Sequence, residues 1–263
     1  MSYTEDEKLE ISKKRAYKIV KSNDIVQKAR YDLNLRELKV MSYIFSMVKP
    51  TDKLNQWYEF TIIDYCKVCG IDYKSGQNYL AVKVALQTLR NKSFWAKLNN
   101  SNKETTIGWL AKVEISPYSG KIAVKLDEDM QKYVIGTFDS YTQYELLSTL
   151  PMQSQYSFRI YELLKSYAYQ KKHRFVIDEL KGQLAAEHYK NFKDFRRFVL
   201  EIATREINEY TDIEVSWQPE TKGRKVVAVV FNIKQRDSWG RLESSQRAEA
   251  ALDKTLDKTL DKK

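Results

Sequence analysis

The 263-residue chain is short of the residues from which most enzyme signatures are built: two Cys, two His, eight Gly and four Pro. Two Cys exclude a disulfide scaffold and point to a reducing compartment. They form a CxxC, Cys66 and Cys69, but a structural zinc site needs four ligands, and His173 and His188 lie far along the chain. The pair reads as thiols on a short helix, one of them facing a core. A dinucleotide-binding or TIM-barrel enzyme carries more glycine in its phosphate-binding turns. The patterns GxxxxGK[ST], GxSxG and HExxH are absent. The His-x-His expected beside the nucleophilic Tyr of a DNA-nicking enzyme is absent too, although 18 Tyr leave a nucleophile available. The acids Asp127, Glu128 and Asp129 sit at a helix start, where the helix dipole favours negative charge without any metal. No catalysis, cofactor or metal is expected.

Long apolar runs are also missing. Val40 to Val48 is broken by Ser42 and Ser46, too short for a membrane span. The first residues lack the apolar core of a secretory signal, so a cytoplasmic location is expected.

What the chain does have is basic charge. There are 45 Lys plus Arg against 35 Asp plus Glu, a net charge of +10. That excess predicts a polyanionic partner, nucleic acid or an anionic membrane surface. A membrane-surface protein needs an exposed apolar face, and the apolar stripes here are taken up as cores.

The pattern of elements repeats. Leu35, Leu38, Met41, Ile44, Phe45 and Val48 fall on one helix face, with Asn34 as N-cap and Pro50 beyond the stop. Residues 57–62 alternate as a short strand, followed by a short helix capped by Thr61 and closed by Gly70. A longer helix over 71–93 has Tyr79, Val82, Leu86 and Leu89 on one face. Strands follow, with an exposed hairpin near residues 99–103. Residues 154–236 repeat this order: helix, short strand, short helix, long helix, hairpin. Ile62-Ile63-Asp64 corresponds to Val176-Ile177-Asp178 at an offset of 114. Two helices followed by a β-hairpin form a winged helix-turn-helix. The expected fold is therefore α+β, two tandem winged-helix domains. Residues 1–22 read as a polar arm, 23–135 as the first domain, 136–153 as a linker and 154–236 as the second domain. Residues 237–263, ending in LDK repeats, read as a charged low-complexity tail, either a helix of Asp/Lys pairs or a solvated segment.

Charge is concentrated in the second domain. Nine Lys/Arg against four acids fall between Lys165 and Arg197. On the long helix, Phe195, Val199, Ile202 and Ala203 can face a core while Lys193, Arg196 and Arg197 project from the other side. A helix entering a major groove needs this division, because Arg reaches guanine edges with two hydrogen bonds and Lys neutralises phosphate. Lys190 precedes the helix, and the hairpin tip adds Lys222, Arg224 and Lys225. The competing reading is a solvated basic face. The first domain offers Lys74, Gln77, Asn78 and Lys83 on its long helix and Lys103 on its hairpin. These serve either weaker DNA contacts or a protein interface.

Three stretches resemble a known family. KIVKSNDIVQKARYDLNLRELKVMSYIFSMV (18–48), FKDFRRFVLEIATREINEYTDIEVSW (192–217) and GRKVVAVVFNIK (223–234) are similar to the plasmid replication initiator (Rep) proteins of theta replication. The resemblance spans about residues 18–236 and leaves the tail outside. It implies binding to double-stranded DNA at direct repeats (iterons) in the origin, and repression of the protein's own gene as a dimer. It also implies self-association through the first domain, major-groove reading by the second, origin opening and recruitment of host replication proteins. A transcriptional regulator with the same fold and no replication role is the runner-up, and a nicking enzyme the third reading.

Overall fold

The computed structural model describes residues 3–73, 76–97, 104–116, 118–136 and 138–260. The expected contacts Lys74 and Lys103 lie outside the described residues.

The N-terminal part contains α1 (Glu5–Arg15), β1 (Lys18–Ser22), α2 (Asn23–Lys28) and α3 (Leu35–Met47). Then come β2 (Tyr58–Thr61), α4 (Ile62–Cys69) and α5 (Gly76–Asn91). Local chemistry sets these boundaries. Asn34 and Glu37 form a reciprocal capping box at the start of α3. The Thr61 hydroxyl accepts from the Asp64 N–H at 3.0 Å, and Gly70 ends α4 in the left-handed region at φ 66°. The apolar face expected of α3 is wider than one stripe: Leu38 and every residue from Val40 to Ser46 are buried. The helix is enclosed because it packs on α5 on one side and on β1 and a later helix on the other. Cys66 and Cys69 of α4 are both free and buried, and burial pushes each thiol up to about 12.

Four strands follow: β3 (Ser93–Lys97), β4 (Glu104–Gly108), β5 (Leu110–Ser116) and β6 (Lys121–Leu126). They do not form one hairpin system. β3 and β4 form a two-stranded ladder, with an isolated bridge from Trp95 to Arg30, whereas β5 and β6 join β2 in a sheet of order β2-β6-β5. The wing of the first domain is thus the β5–β6 hairpin. The tip expected near residues 99–103 lies outside the described residues, and its flanking strands β3 and β4 form a ladder apart from the winged sheet.

After α6 (Glu128–Gln131), β7 (Tyr141–Glu145) pairs antiparallel with β1, from Lys18 opposite Glu145 to Ser22 opposite Tyr141. Neither a loose arm nor a linker describes these segments. Ile19 and Tyr144 are buried under the pairing, and Leu146, Leu147, Leu150 and Met152 continue the same core.

The second unit comprises α7 (Gln155–Ser166), β8 (Lys172–Val176), α8 (Ile177–Gln183), α9 (Phe192–Phe195) and α10 (Glu201–Tyr210). It closes with β9 (Ile213–Lys222) and β10 (Lys225–Gln235). Its sheet order, β8-β10-β9, is that of β2-β6-β5. The repeated order of elements therefore extends to the strand topology, and both units are winged helices.

One helix ties them together. Glu162 of α7 is buried among Lys21 of β1, Arg159, Tyr144 of β7 and Tyr31. Other residues of α7 hold the second unit: the Tyr161 hydroxyl donates to Asp212 at 2.9 Å, and Lys165 pairs with the same carboxylate.

The tail is a helix, α11 (Ser238–Leu260). The Arg247 side chain donates to the Glu209 carbonyl of α10, at 3.1 Å. Two residues on, Glu249 pairs with the buried Arg15 of α1, and Leu252 packs over Gly70. The tail gains helical order from this groove, since Ser244, Ala248 and Leu252 are buried at successive turns.

Candidate nucleic-acid interface

The rod formed by residues 192–210 carries three of the expected contacts, Lys193, Arg196 and Arg197. Its start is fixed twice. Asn191 caps it, its side-chain oxygen accepting from the Asp194 N–H at 2.8 Å. Lys181 donates to the Tyr189 carbonyl at 2.6 Å and lies over the Phe195 ring. Phe195, Val199, Ala203 and Ile207 are buried at a strict four-residue spacing. Three such steps in a regular α-helix drift by about 120°. The chain absorbs the drift in a π-helical turn, Arg196–Leu200, between α9 and α10.

This packing leaves Lys193, Arg196 and Arg197 exposed on the outer face, with Lys190 exposed just before the helix. Arg196 shares an ion pair with Glu201 at 3.1 Å, in water on both sides. The wing beside the rod turns at Gly223, whose φ of 62° suits the tight link between Lys222 and Lys225. Lys222, Arg224 and Lys225 are all exposed at that tip. A two-point ion pair spans the wing sheet, Arg174 to Glu220 at 2.9 and 2.8 Å. It raises the arginine and lowers the carboxyl from their usual values.

Two members of the basic cluster do not join this face. Lys165 and Lys181 are drawn inward by Asp212 and by the Tyr189 carbonyl. A count of charge along the chain does not reveal such partners. A side chain on the outer face that charge counting passes over is Phe198, 43% exposed between the arginines and a buried valine. Its signal is the string Phe195-Arg196-Arg197-Phe198, in which two aromatics three apart cannot both follow the four-residue core spacing.

The equivalent helix of the first unit, α5, is different. Gln77 and Lys83 are exposed, and Asn78 donates to the Asp72 carbonyl at 2.7 Å, closing the preceding turn. On the same helix Leu80 and Val84, one turn apart, are each 59% exposed. A groove of about 870 Å³ runs between α5 and β5, lined by Tyr79, Lys83, Arg90, Val113 and Ile115 among others. Among the described residues, no group of three or more His, Cys, Asp or Glu is placed to hold a metal ion. None of their helices is long and apolar enough to cross a membrane.

Two winged helices in one chain, the second presenting a basic helix and a basic wing tip on one side, define a tandem winged-helix protein with the layout of a duplex reader. Family comparison makes the class particular. Residues 18–165 match the model of the initiator replication protein WH1 domain, and residues 176–233 match that of the initiator Rep protein WH2 domain. The chain belongs to the initiator replication (Rep) protein family. Among solved structures, the Pi initiator protein in complex with iteron DNA aligns with a TM-score of 0.70 at 21% identity, over 85% of this chain and 99% of that one. The WH1 domain of MSBI1.176, a replication protein isolated from a multiple sclerosis patient, aligns with a TM-score of 0.26 at 12% identity, over 35% of this chain and 72% of that one. The resemblance read from the three sequence stretches and the two-domain α+β fold are both upheld.

Proposed function

We propose that this plasmid replication initiator binds duplex iterons through its second winged-helix domain, with the 192–210 rod in the major groove. Arg196 and Arg197 reach base edges, and Lys193 and Lys190 meet phosphates at the groove wall. Lys222, Arg224 and Lys225 lie along the neighbouring backbone. The observation that carries this reading is the division of the rod: Phe195 and Val199 are fully buried while Lys193, Arg196 and Arg197 face solvent. The family membership supports the replication role over a regulator without one.

The first domain acts mainly in self-association, and the dimer represses the protein's own gene. Leu80 and Val84 support this, because an exposed apolar pair on α5 suits a protein surface better than phosphate. Among the described residues, β5 is also an outer strand of the sheet in the order β2-β6-β5. Lys74, Gln77, Asn78, Lys83 and Lys103 add auxiliary contacts to DNA. The protein acts by binding, without catalysis, in the cytoplasm. Bound copies open the origin and recruit host replication proteins.

Nuclease footprinting on DNA flanking the gene tests the reading. Protected repeats spaced by one or two helical turns are expected, with plasmid maintenance dependent on the protein. Arg197→Ala should weaken repeat binding by about 5- to 150-fold, the ~1–3 kcal/mol of a base-reading arginine. Unchanged binding would remove the rod from the interface, and absence of protected repeats would remove the iteron reading.

A further inference from the structure

Arg196, Arg197 and Phe198 are three consecutive exposed residues inside the π-helical turn, bracketed by the fully buried Phe195, Val199 and Leu200. Two of the three suit an anion. The third is a large apolar ring that remains substantially open to solvent. The ring is nonetheless held in place. Tyr189 lies nearly parallel to it, with centroids 6.2 Å apart and planes at 23°. The Arg197 guanidinium stands 5.1 Å from its centre. An exposed, oriented aromatic beside Arg197 on the rod has one apolar counterpart on a major-groove floor, the C5-methyl group of thymine. A protein partner is a poorer match, because the ring carries the Arg197 guanidinium beside it, and the exposed Lys193 and Arg196 on the same rod add positive charge rather than an apolar rim.

We infer that Phe198 is a specificity-determining residue that packs on a thymine methyl in the recognised site, while Arg196 and Arg197 engage the adjoining bases and backbone. This rests on the reading of the 192–210 rod as the major-groove element. Phe198 thus adds a preference for T·A pairs to a helix whose charges alone favour guanine and phosphate.

Uracil provides the test, since it pairs as thymine does and lacks only the methyl. The full chain is used to select a duplex from random-sequence DNA. That duplex is then synthesised with thymine or with uracil throughout, and affinities are compared by fluorescence anisotropy. Wild type should bind the uracil duplex about four-fold more weakly for each methyl in contact, the ~0.8 kcal/mol of one buried carbon. Phe198→Ala should bind both duplexes alike, and Phe198→Leu should keep part of the preference. Both variants should bind random duplex as wild type does, which shows that the surface change leaves the fold intact. Equal wild-type binding to thymine and uracil duplexes overturns this inference alone. So does an undiminished thymine preference in Phe198→Ala. A selection that enriches no sequence overturns the base-reading role of the rod and this inference with it.

Discussion

Glu162→Gln tests the joint between the two domains. The Glu162 carboxylate is fully buried. It faces Lys21 and Arg159, with Arg159 at 2.7 Å, and accepts from the Tyr144 hydroxyl at 2.6 Å. Burial alone raises the acid, but two cations and a hydroxyl donor outweigh it and hold the carboxyl down at about 2, against an ordinary 4.5. At ~1.4 kcal/mol per pH unit, that difference stabilises the folded state by about 3 kcal/mol. The folded protein is the stronger acid here. Its contribution is therefore whole above pH ~4.5 and is lost as pH falls towards 2. Glutamine keeps the shape but leaves Lys21 and Arg159 facing each other without a counter-charge. The expected cost at pH 7 is about 3–5 kcal/mol, a large share of a typical ~5–15 kcal/mol. Urea unfolding followed by circular dichroism at pH 7 and pH 3.5 measures it. Wild type loses about 1 kcal/mol from this group between the two, and the variant does not, so the gap between them narrows by that amount. A variant within 1 kcal/mol of wild type at pH 7, or a gap independent of pH, would refute the reasoning.

The tail helix and the wing give two more expectations. Leu252→Ala removes the side chain that α11 buries against Gly70 and should destabilise the protein by about 2–5 kcal/mol in thermal melts. Gly70→Ala should add to that loss, because its φ is 66° and a new Cβ would meet the Leu252 carbonyl oxygen at 3.0 Å. A tail deletion that melts with wild type would show that α11 only rests on the surface. On the wing, replacing Lys222, Arg224 and Lys225 together by Ala should flatten the slope of log K against log salt by about 2.7, at ~0.9 per phosphate contact. An unchanged slope would place that tip away from the backbone.

Local signals made much of the architecture legible. Asn34, Thr61 and Gly70 mark helix ends because a cap works through its own residue and its near neighbours. The offset of 114 between the two short helices was readable because each unit spends the same few residues on strand and cap. The identity of the first wing was not readable. β3–β4 and β5–β6 are both antiparallel hairpins, and only pairing with β2, some sixty residues earlier, decides which belongs to the winged sheet. The pairing of β1 with β7 was hidden for the same reason. Each is a five-residue strand whose partner lies more than a hundred residues away.

Composition and periodicity by themselves determined that this chain builds two similar α+β units, that its surplus charge is positive, and that the 192–210 helix divides into an apolar and a basic face. Tertiary structure alone decided which charges remain outside. Lys165 and Lys181 lie in the same basic stretch as Arg196 and Arg197, yet Asp212 and the Tyr189 carbonyl draw the first two inward. It also turned a polar tail into a helix by offering the groove over Gly70, and set Phe198 outward through one widened turn. The physical reason is the same throughout. Periodicity reports which side of an element is apolar, but the partner that satisfies a charge or covers a methyl group comes from a distant part of the chain, brought near only by folding.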